Sequence, residues 1–202
     1  MLISLHHLVN KYNVVFKGIL HVGAHECEEL QDYLNYVPIN KVLWVEALED
    51  KVKFCKDKYP GVQIEHAVVS DIVETVKFNR SNNDQSSSIL ELGLHKQYHS
   101  WVHYVSSTEV ETQVLRDILP KYDIEYNFLN LDIQGVELKA LKGMEDYLNK
   151  VDYVYSEVNS DYVYENGALI TEIDDYLKQF NLHRVETSWT ECKWGDAFYI
   201  RK

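Results

Sequence analysis

Proline, cysteine, methionine and glycine are scarce in this chain, with 3, 3, 2 and 8 copies among 202 residues. Cys27, Cys55 and Cys192 are odd in number, far apart in sequence and in no CxxC pair. That fits free thiols in a reducing compartment better than a disulfide framework or a zinc site. Basic residues are also in deficit: 20 Lys and Arg face 32 Asp and Glu, for a formal charge of -12. Nucleic-acid recognition rests on clustered Lys and Arg, and no basic stripe occurs, so nucleic acid is not expected as a partner. No apolar run approaches the roughly eighteen residues of a membrane span. The first residues, "MLISLHHLVNKYN", have no charged n-region, long apolar h-region or small-residue cleavage site, so export is not expected either. A cytoplasmic protein handling something small is the starting expectation. Its length suits one domain with a core that needs no staples, residues 1–17 extending a core of 18–202.

What is present is a regular alternation of strand and helix signals. "GILHVG" reads as a strand and "ECEELQDYLNY" as a helix, with Leu30 and Leu34 at i, i+4. "KVLWVEA" is a strand, and "EDKVKFCKDKY" is a helix closed by Pro60 and Gly61. "VQIEHAVVS" and "VETVKFNR" read as strands, and "NRSNNDQSSS" as a polar loop. "TEVETQVLRDILPKY" reads as a helix capped by Thr108 with Glu111 three residues on. "YNFLNLDI" is a strand, "VELKALKGMEDYLNK" a helix, "VDYVYSEV" a strand and "ALITEIDDYLKQF" a helix. "LHRVETSW" and "GDAFYIRK" are two strands joined by too short a turn for a crossover helix, hence antiparallel. Repeated βα units predict an α/β fold: a doubly wound, mostly parallel sheet closed by a C-terminal antiparallel hairpin.

In such folds ligands meet the carboxyl ends of the strands, so the first strand–turn–helix is informative. A nicotinamide dinucleotide would need its pyrophosphate against a glycine-rich helix start. Here Gly23 stands alone, and Glu26, Glu28 and Glu29 would repel a diphosphate. S-adenosylmethionine carries no phosphate, bears a cationic sulfonium and an ammonium, and tolerates acidic surroundings. Gly23 permits its close approach to the backbone. Glu46 lies 23 positions further on, near the roughly 20-residue offset of ribose-binding acids in related folds. Each residue alone is as well explained as an ordinary turn glycine or strand-end acid; together they favour the cofactor.

"HVGAH" (21–25), "WVEALED" (44–50), "SSSIL" (86–90), "FLNLDIQGVELKALKGM" (128–144), "YSEVN" (155–159) and "DAFYI" (196–200) resemble the FkbM-type methyltransferases. The D-x-x-G-x-E-x-x-x-L-x-G block at 132–143 is the most specific part of that resemblance. It implies a Rossmann-like class I methyltransferase fold, S-adenosylmethionine as cofactor, and O-methylation of a sugar or other small hydroxyl acceptor. Family members usually carry D-x-G-A-N at the first turn, where this chain has His21 and His25. Glu26, Glu28 or Glu29 could then anchor the methionine ammonium. The implied cofactor set is His21, Gly23, Ala24, His25, Glu28, Glu46, Ala47, Ser70, Ser86, Ser87 and Asp132.

Methyl transfer asks chiefly for alignment of donor and acceptor, plus removal of the acceptor's hydroxyl proton. Asp132 is the first candidate base, Glu157 the second and His103 a distant third. Two strand-end acids could hold a divalent cation, but no third ligand is identifiable, so no metal is expected. Glu137, in a first helical turn, is explained by the helix dipole. His95, His99 and His103 share helical spacing, yet "WVHYV" reads as strand, so solvated histidines are expected. The tyrosines of "VDYVYSEVNSDYVYENG" could stack on a ring acceptor. The alternative reading is a non-catalytic S-adenosylmethionine-binding or protein-interaction domain on the same fold. Oligomeric state is not legible.

Overall fold

The computed structural model describes residues 1–202. In chain order its main elements are α1 (Leu5–Tyr12), β1 (Ile19–Val22), α2 (Leu30–Leu34), β2 (Val42–Glu46), α3 (Glu49–Lys58), β3 (Gln63–His66), β4 (Thr75–Ser81), α4 (His95–Tyr98), β5 (Tyr104–Glu111) and α5 (Leu115–Ile118). They continue as β6 (Phe128–Leu131), α6 (Glu137–Lys142), β7 (Tyr153–Asn159), α7 (Ile170–Lys178), β8 (Leu182–Trp189) and β9 (Trp194–Arg201).

Seven strands form one sheet in the order β3-β2-β1-β6-β7-β9-β8. The first five of these are mutually parallel, and β9 runs antiparallel to both neighbours. The sheet is therefore the doubly wound arrangement with an antiparallel C-terminal hairpin. Successive side chains of a strand point to opposite faces, and the short apolar strands fill both. Leu20, Val22, Leu43, Val45, Leu129 and Leu131 join α5, α6 and α7 in a core of 25 buried residues. Ile19, Val42, Trp44 and Phe128 join α1, α2 and α3 in a second core of 18. Leu5 and Leu8 of α1 are buried in that second core. The first 17 residues thus cover one face of the sheet rather than trailing from it.

Two elements differ from the sequence reading. Residues 108–111, where the spacing suggests the start of a helix, belong instead to β5, which pairs antiparallel with β4 from Thr75↔Glu111 to Ser81↔Tyr104. The β-branched Val105, Thr108 and Val110 suit a pleated ribbon, and Thr108 faces Phe78 across the pair instead of capping a helix. Only Leu115–Ile118 is α-helical there, continued by a 3-10 turn at Leu119–Lys121. Likewise, the acidic run after β1 is a series of turns with left-handed His25 (φ 43) and Cys27 (φ 56), and α2 starts at Leu30. The β4–β5 ribbon stands apart from the main sheet. Its connecting segment provides the roof of the site.

β1 connects toward β2 and β3, whereas β6 connects toward β7, so chain direction across the sheet reverses between β1 and β6. Open α/β sheets place ligands in the crevice at that point.

Candidate active site

A cavity of about 540 Å³ opens at the carboxyl ends of β1, β2, β6 and β7. Its size is within the roughly 300–1,000 Å³ usual for small-ligand sites. The roof is the segment between β4 and β5, together with Val163, Tyr164 and Trp194.

The floor begins at the β1 turn. Gly23 has φ +94, and a Cβ there would lie 1.8 Å from the Asp132 carbonyl oxygen. No other residue permits these two strand ends to touch. The amides of Gly23 and Ala24 both donate to the Val45 carbonyl, at 2.9 and 3.1 Å. They are therefore not free to cradle a phosphate. Ala24 is buried in the core beneath the turn and does not line the cavity. His21 is also buried, stacked on Trp44 at 4.5 Å, with Nδ1 3.0 Å from the Tyr33 hydroxyl. Burial lowers its pKa, so the ring stays neutral. His25 reaches the cavity wall and pairs through Nδ1 with Glu28 at 2.5 Å. That hydrogen bond raises the His25 pKa despite partial burial, and Glu28 is held down at about 2. Of the three acids expected near an ammonium, Glu28 and Glu29 line the cavity, whereas Glu26 is turned to Lys51 at 2.7 Å.

Cys27 is turned inward, and its Sγ lies 3.4 Å from that of Cys55. The two thiols, distant in sequence, are neighbours in the fold. Hydrogen bonding to Cys55, then burial, raises the Cys27 pKa, which leaves it a poor nucleophile.

Glu46, at the end of β2, is buried on the cavity wall. Its Oε2 accepts the His25 amide at 2.6 Å and its Oε1 the Leu48 amide at 2.8 Å. Burial raises its pKa, opposed by those two donors. Ala47 lines the cavity beside it, while Ser70 is fully buried off the wall, beneath the close approach of Gly143. Ser86 and Ser87 line the roof, but their hydroxyls are engaged within the loop. Ser86 Oγ accepts from Asn83 at 3.0 Å, and Ser87 Oγ donates to the Asp84 carbonyl.

The strand-end acids meet at the centre. Gln134, left-handed at φ 58, donates through Nε2 to Asp132 Oδ1 at 2.6 Å and to Glu157 Oε2 at 3.2 Å. Its Oε1 accepts the Tyr164 hydroxyl at 2.6 Å. Asp132 opens onto the cavity, whereas Glu157 is buried. The surrounding protein raises both pKa values; burial and then the neighbouring Asp132 charge push Glu157 well up. Two adjacent carboxylates do not both ionise readily, which favours the proton on the buried Glu157 and leaves Asp132 as the carboxylate open to the cavity. Glu137 is buried below, where its Oε1 accepts the Ile133 and Gly135 amides at 3.0 and 3.1 Å. It ties the turn as well as favouring the helix start, and burial pushes its pKa up to about 7.

Several lining residues were not singled out from sequence. Asp196 faces Glu157 across β7–β9 and accepts from the Tyr155 hydroxyl. The main-chain amide of Leu2 donates to the same carboxylate, bringing the N-terminal segment to the cavity rim. Asp84 bonds Arg80 at 2.7 Å and Lys51 at 3.3 Å, pinning the roof to α3. His95 is buried in the wall rather than solvated, and burial pushes its pKa down to about 4. His103 is exposed, outside the cavity, with Nδ1 against the Trp101 carbonyl, so it cannot serve as a base there. Tyr164 is the one tyrosine of its rich stretch on the cavity wall. Of Asp196, Leu2 and Asp84, only Asp196 had a site signal in the sequence, inside the quoted "DAFYI". The others arrive from segments whose path sequence periodicity does not reveal.

A match to the methyltransferase FkbM domain spans residues 21–183. The chain belongs to the FkbM methyltransferase family. Its cofactor is S-adenosylmethionine. The 2-O-methyltransferase NoeI of Sinorhizobium fredii is 23% identical over 175 residues, covering 81% of this chain and 72% of that protein. An S-adenosylmethionine-dependent methyltransferase from Clostridium acetobutylicum superposes with a TM-score of 0.52 at 8% identity, over 98% of this chain and 89% of that one. A ribosomal protein L11 methylase from Lactobacillus delbrueckii gives 0.53 at 9% identity, over 94% and 71%. The fold is thus that of class I methyltransferases. The cavity suits the family's cofactor in its donor set: seven Asp and Glu side chains and no Lys or Arg line it. A sulfonium fits among them and a diphosphate does not. No helix of this FkbM methyltransferase is long and apolar enough to cross a membrane.

Proposed function

We propose that this FkbM methyltransferase transfers methyl to a hydroxyl oxygen of a sugar or other small acceptor, with Asp132 as the base. The observation that carries this is the Asp132–Gln134–Glu157 arrangement. An open carboxylate on the cavity wall is oriented by one amide that it shares with a second, buried acid whose pKa is raised. The name of the 2-O-methyltransferase relative supports oxygen as the target.

Bound S-adenosylmethionine supplies an activated methyl group. Glu46, at the cavity wall, would take the ribose hydroxyls on lone pairs left free by its two amide donors. Glu28 and Glu29 would face the ammonium. Asp132 accepts the acceptor's hydroxyl proton as the oxygen becomes nucleophilic. Gln134 fixes the Asp132 carboxylate by donating to Oδ1, and the proton on Glu157 limits repulsion between the two acids. Most of the acceleration then comes from alignment in a site the roof shields from water.

The test is a thermal melt with S-adenosylhomocysteine or NAD in excess, followed by a screen of hydroxyl acceptors for methyl transfer. S-adenosylhomocysteine at a hundred times its Kd should stabilise by about 2.7 kcal/mol, with no shift from NAD. Binding without transfer to any hydroxyl would instead favour a non-catalytic domain.

A further inference from the structure

The roof carries a wall that the methyl-transfer chemistry above does not use. Leu92, Val102, Val163 and Tyr164 form a small core separate from both faces of the sheet, with Trp194 packed against it. His95 sits in this wall between His99 and Tyr164, at ring distances of 4.9 and 5.4 Å. It is 6% exposed, lines the cavity, and its Nδ1 is buried with no hydrogen-bond partner. Buried ring nitrogens in folded proteins are nearly always satisfied, and an orphan on a cavity wall calls for a partner the chain does not provide. Tyr164, against the His95 ring, donates to Gln134, which in turn holds Asp132 and Glu157. His95 is therefore one aromatic ring away from the acid pair. At the cavity mouth the Trp101 side chain is 61% exposed and makes no aromatic pair. A large indole left in water at a pocket entrance is a surface on which an apolar ring face can pack.

Charge narrows what can enter. The lining has seven carboxyl side chains and no Lys or Arg. Asp84 is neutralised by Arg80 and Lys51, but Asp132 and Asp196 have no cationic partner. An anionic group brought here would lose its hydration and face the unpaired Asp132 and Asp196, because the N-terminal ammonium at the rim is taken by Glu29 at 3.7 Å and His25 by Glu28 at 2.5 Å.

On the reading that this cavity is a methyl-transfer site, we propose that this wall is its acceptor subsite. His95 hydrogen-bonds an acceptor hydroxyl, Trp101 and Trp194 pack against the acceptor's apolar face, and the subsite admits uncharged acceptors while refusing phosphorylated or carboxylated ones.

The experiment measures acceptor binding, so it does not depend on turnover. Protein saturated with S-adenosylhomocysteine is titrated with a panel of neutral methyl glycosides and small polyols, then with the corresponding phosphates and acids, by calorimetry or saturation-transfer NMR. An uncharged member should bind, with its anionic counterpart weaker by about tenfold or more. His95→Ala and Trp101→Ala should each weaken the uncharged acceptor by about tenfold and leave S-adenosylhomocysteine affinity unchanged. His95→Asn, which keeps a donor and an acceptor, should recover part of the loss. Trp101 lies at the surface, so its variant keeps the test valid should the His95 variants fold poorly. Binding of no uncharged compound, binding by both variants as tight as that of the native protein, or preference for the anionic counterparts would overturn the proposal. Failure of the methyl-transfer reading has a different signature: an acceptor that binds as described but is never methylated.

Discussion

Gly23 and Asp132, in loops after different strands, meet so closely that a single methyl group on Gly23 would overlap the Asp132 carbonyl, at 1.8 Å. The contact joins the cofactor turn to the proposed base. Gly23→Ala should therefore damage both. Left-handed strain and overpacking together should cost roughly 3 kcal/mol. The expected fall in Tm is about 6–12 °C, with S-adenosylhomocysteine binding lost or sharply weakened in calorimetry. An unchanged melt would show that the two turns have room to separate.

Glu46→Gln tests the ribose site and a structural role together. Both carboxylate oxygens accept main-chain amides, from His25 and Leu48. Glutamine has one acceptor oxygen and would turn its own NH₂ toward one of those donors. The loss of a charged hydrogen bond is worth about 1.5–3 kcal/mol. S-adenosylhomocysteine affinity should drop by about tenfold or more, and the ligand-free Tm should fall as well. From sequence only the affinity effect is expected; the two amide bonds add the stability effect. Unchanged affinity with a lowered melt would reduce Glu46 to a turn clamp.

Asp132→Asn should lower kcat by about 10²–10⁴-fold while S-adenosylhomocysteine affinity stays near that of the native protein. Glu157→Gln should be milder, because the amide still donates as the protonated acid does. In the native enzyme the base must be ionised, so kcat/KM should fall as pH drops through the Asp132 pKa, which desolvation within the cavity raises above the usual aspartate value. A pH profile on the acceptor found in the screen reads this directly. Full activity of the asparagine variant would remove Asp132 from catalysis.

Stability should also depend on pH through Glu137. Its folded-state pKa is about 7, raised by burial from 4.5. Between those values the folded state binds more protons than the unfolded chain, so stability declines as pH rises through that window and levels off above it. The slope attributable to this group is at most about 1.4 kcal/mol per pH unit. Glu137→Gln still accepts the Ile133 and Gly135 amides and should flatten the slope in urea titrations run across the window. A slope identical to that of the native protein would assign the dependence to other groups.

The sequence determined the sheet, because short apolar strands and one-sided helices leave few ways to bury both faces. It also determined the strand-end positions of Glu46, Asp132 and Glu157, since a residue that ends a strand of such a sheet arrives at the crevice whatever the loops do. Gly23, the one glycine between the end of β1 and α2, marked the turn equally well. The rest depended on long-range contacts. Thr108 and Glu111 have the spacing of a helix cap, but pairing with β4 outweighs that local preference. Ala24 and Ser70 lie beside cavity residues in sequence, and the direction of the turn alone decides that they face the core. His95 is expected to be solvated because the strand-like "WVHYV" breaks its helical alignment with His103, yet the roof folds back and buries it against Tyr164, a residue 69 positions away. Local pattern places residues on strands and helices. Which side chains converge across loops is settled only when the loops pack, because those contacts join segments with no shared periodicity.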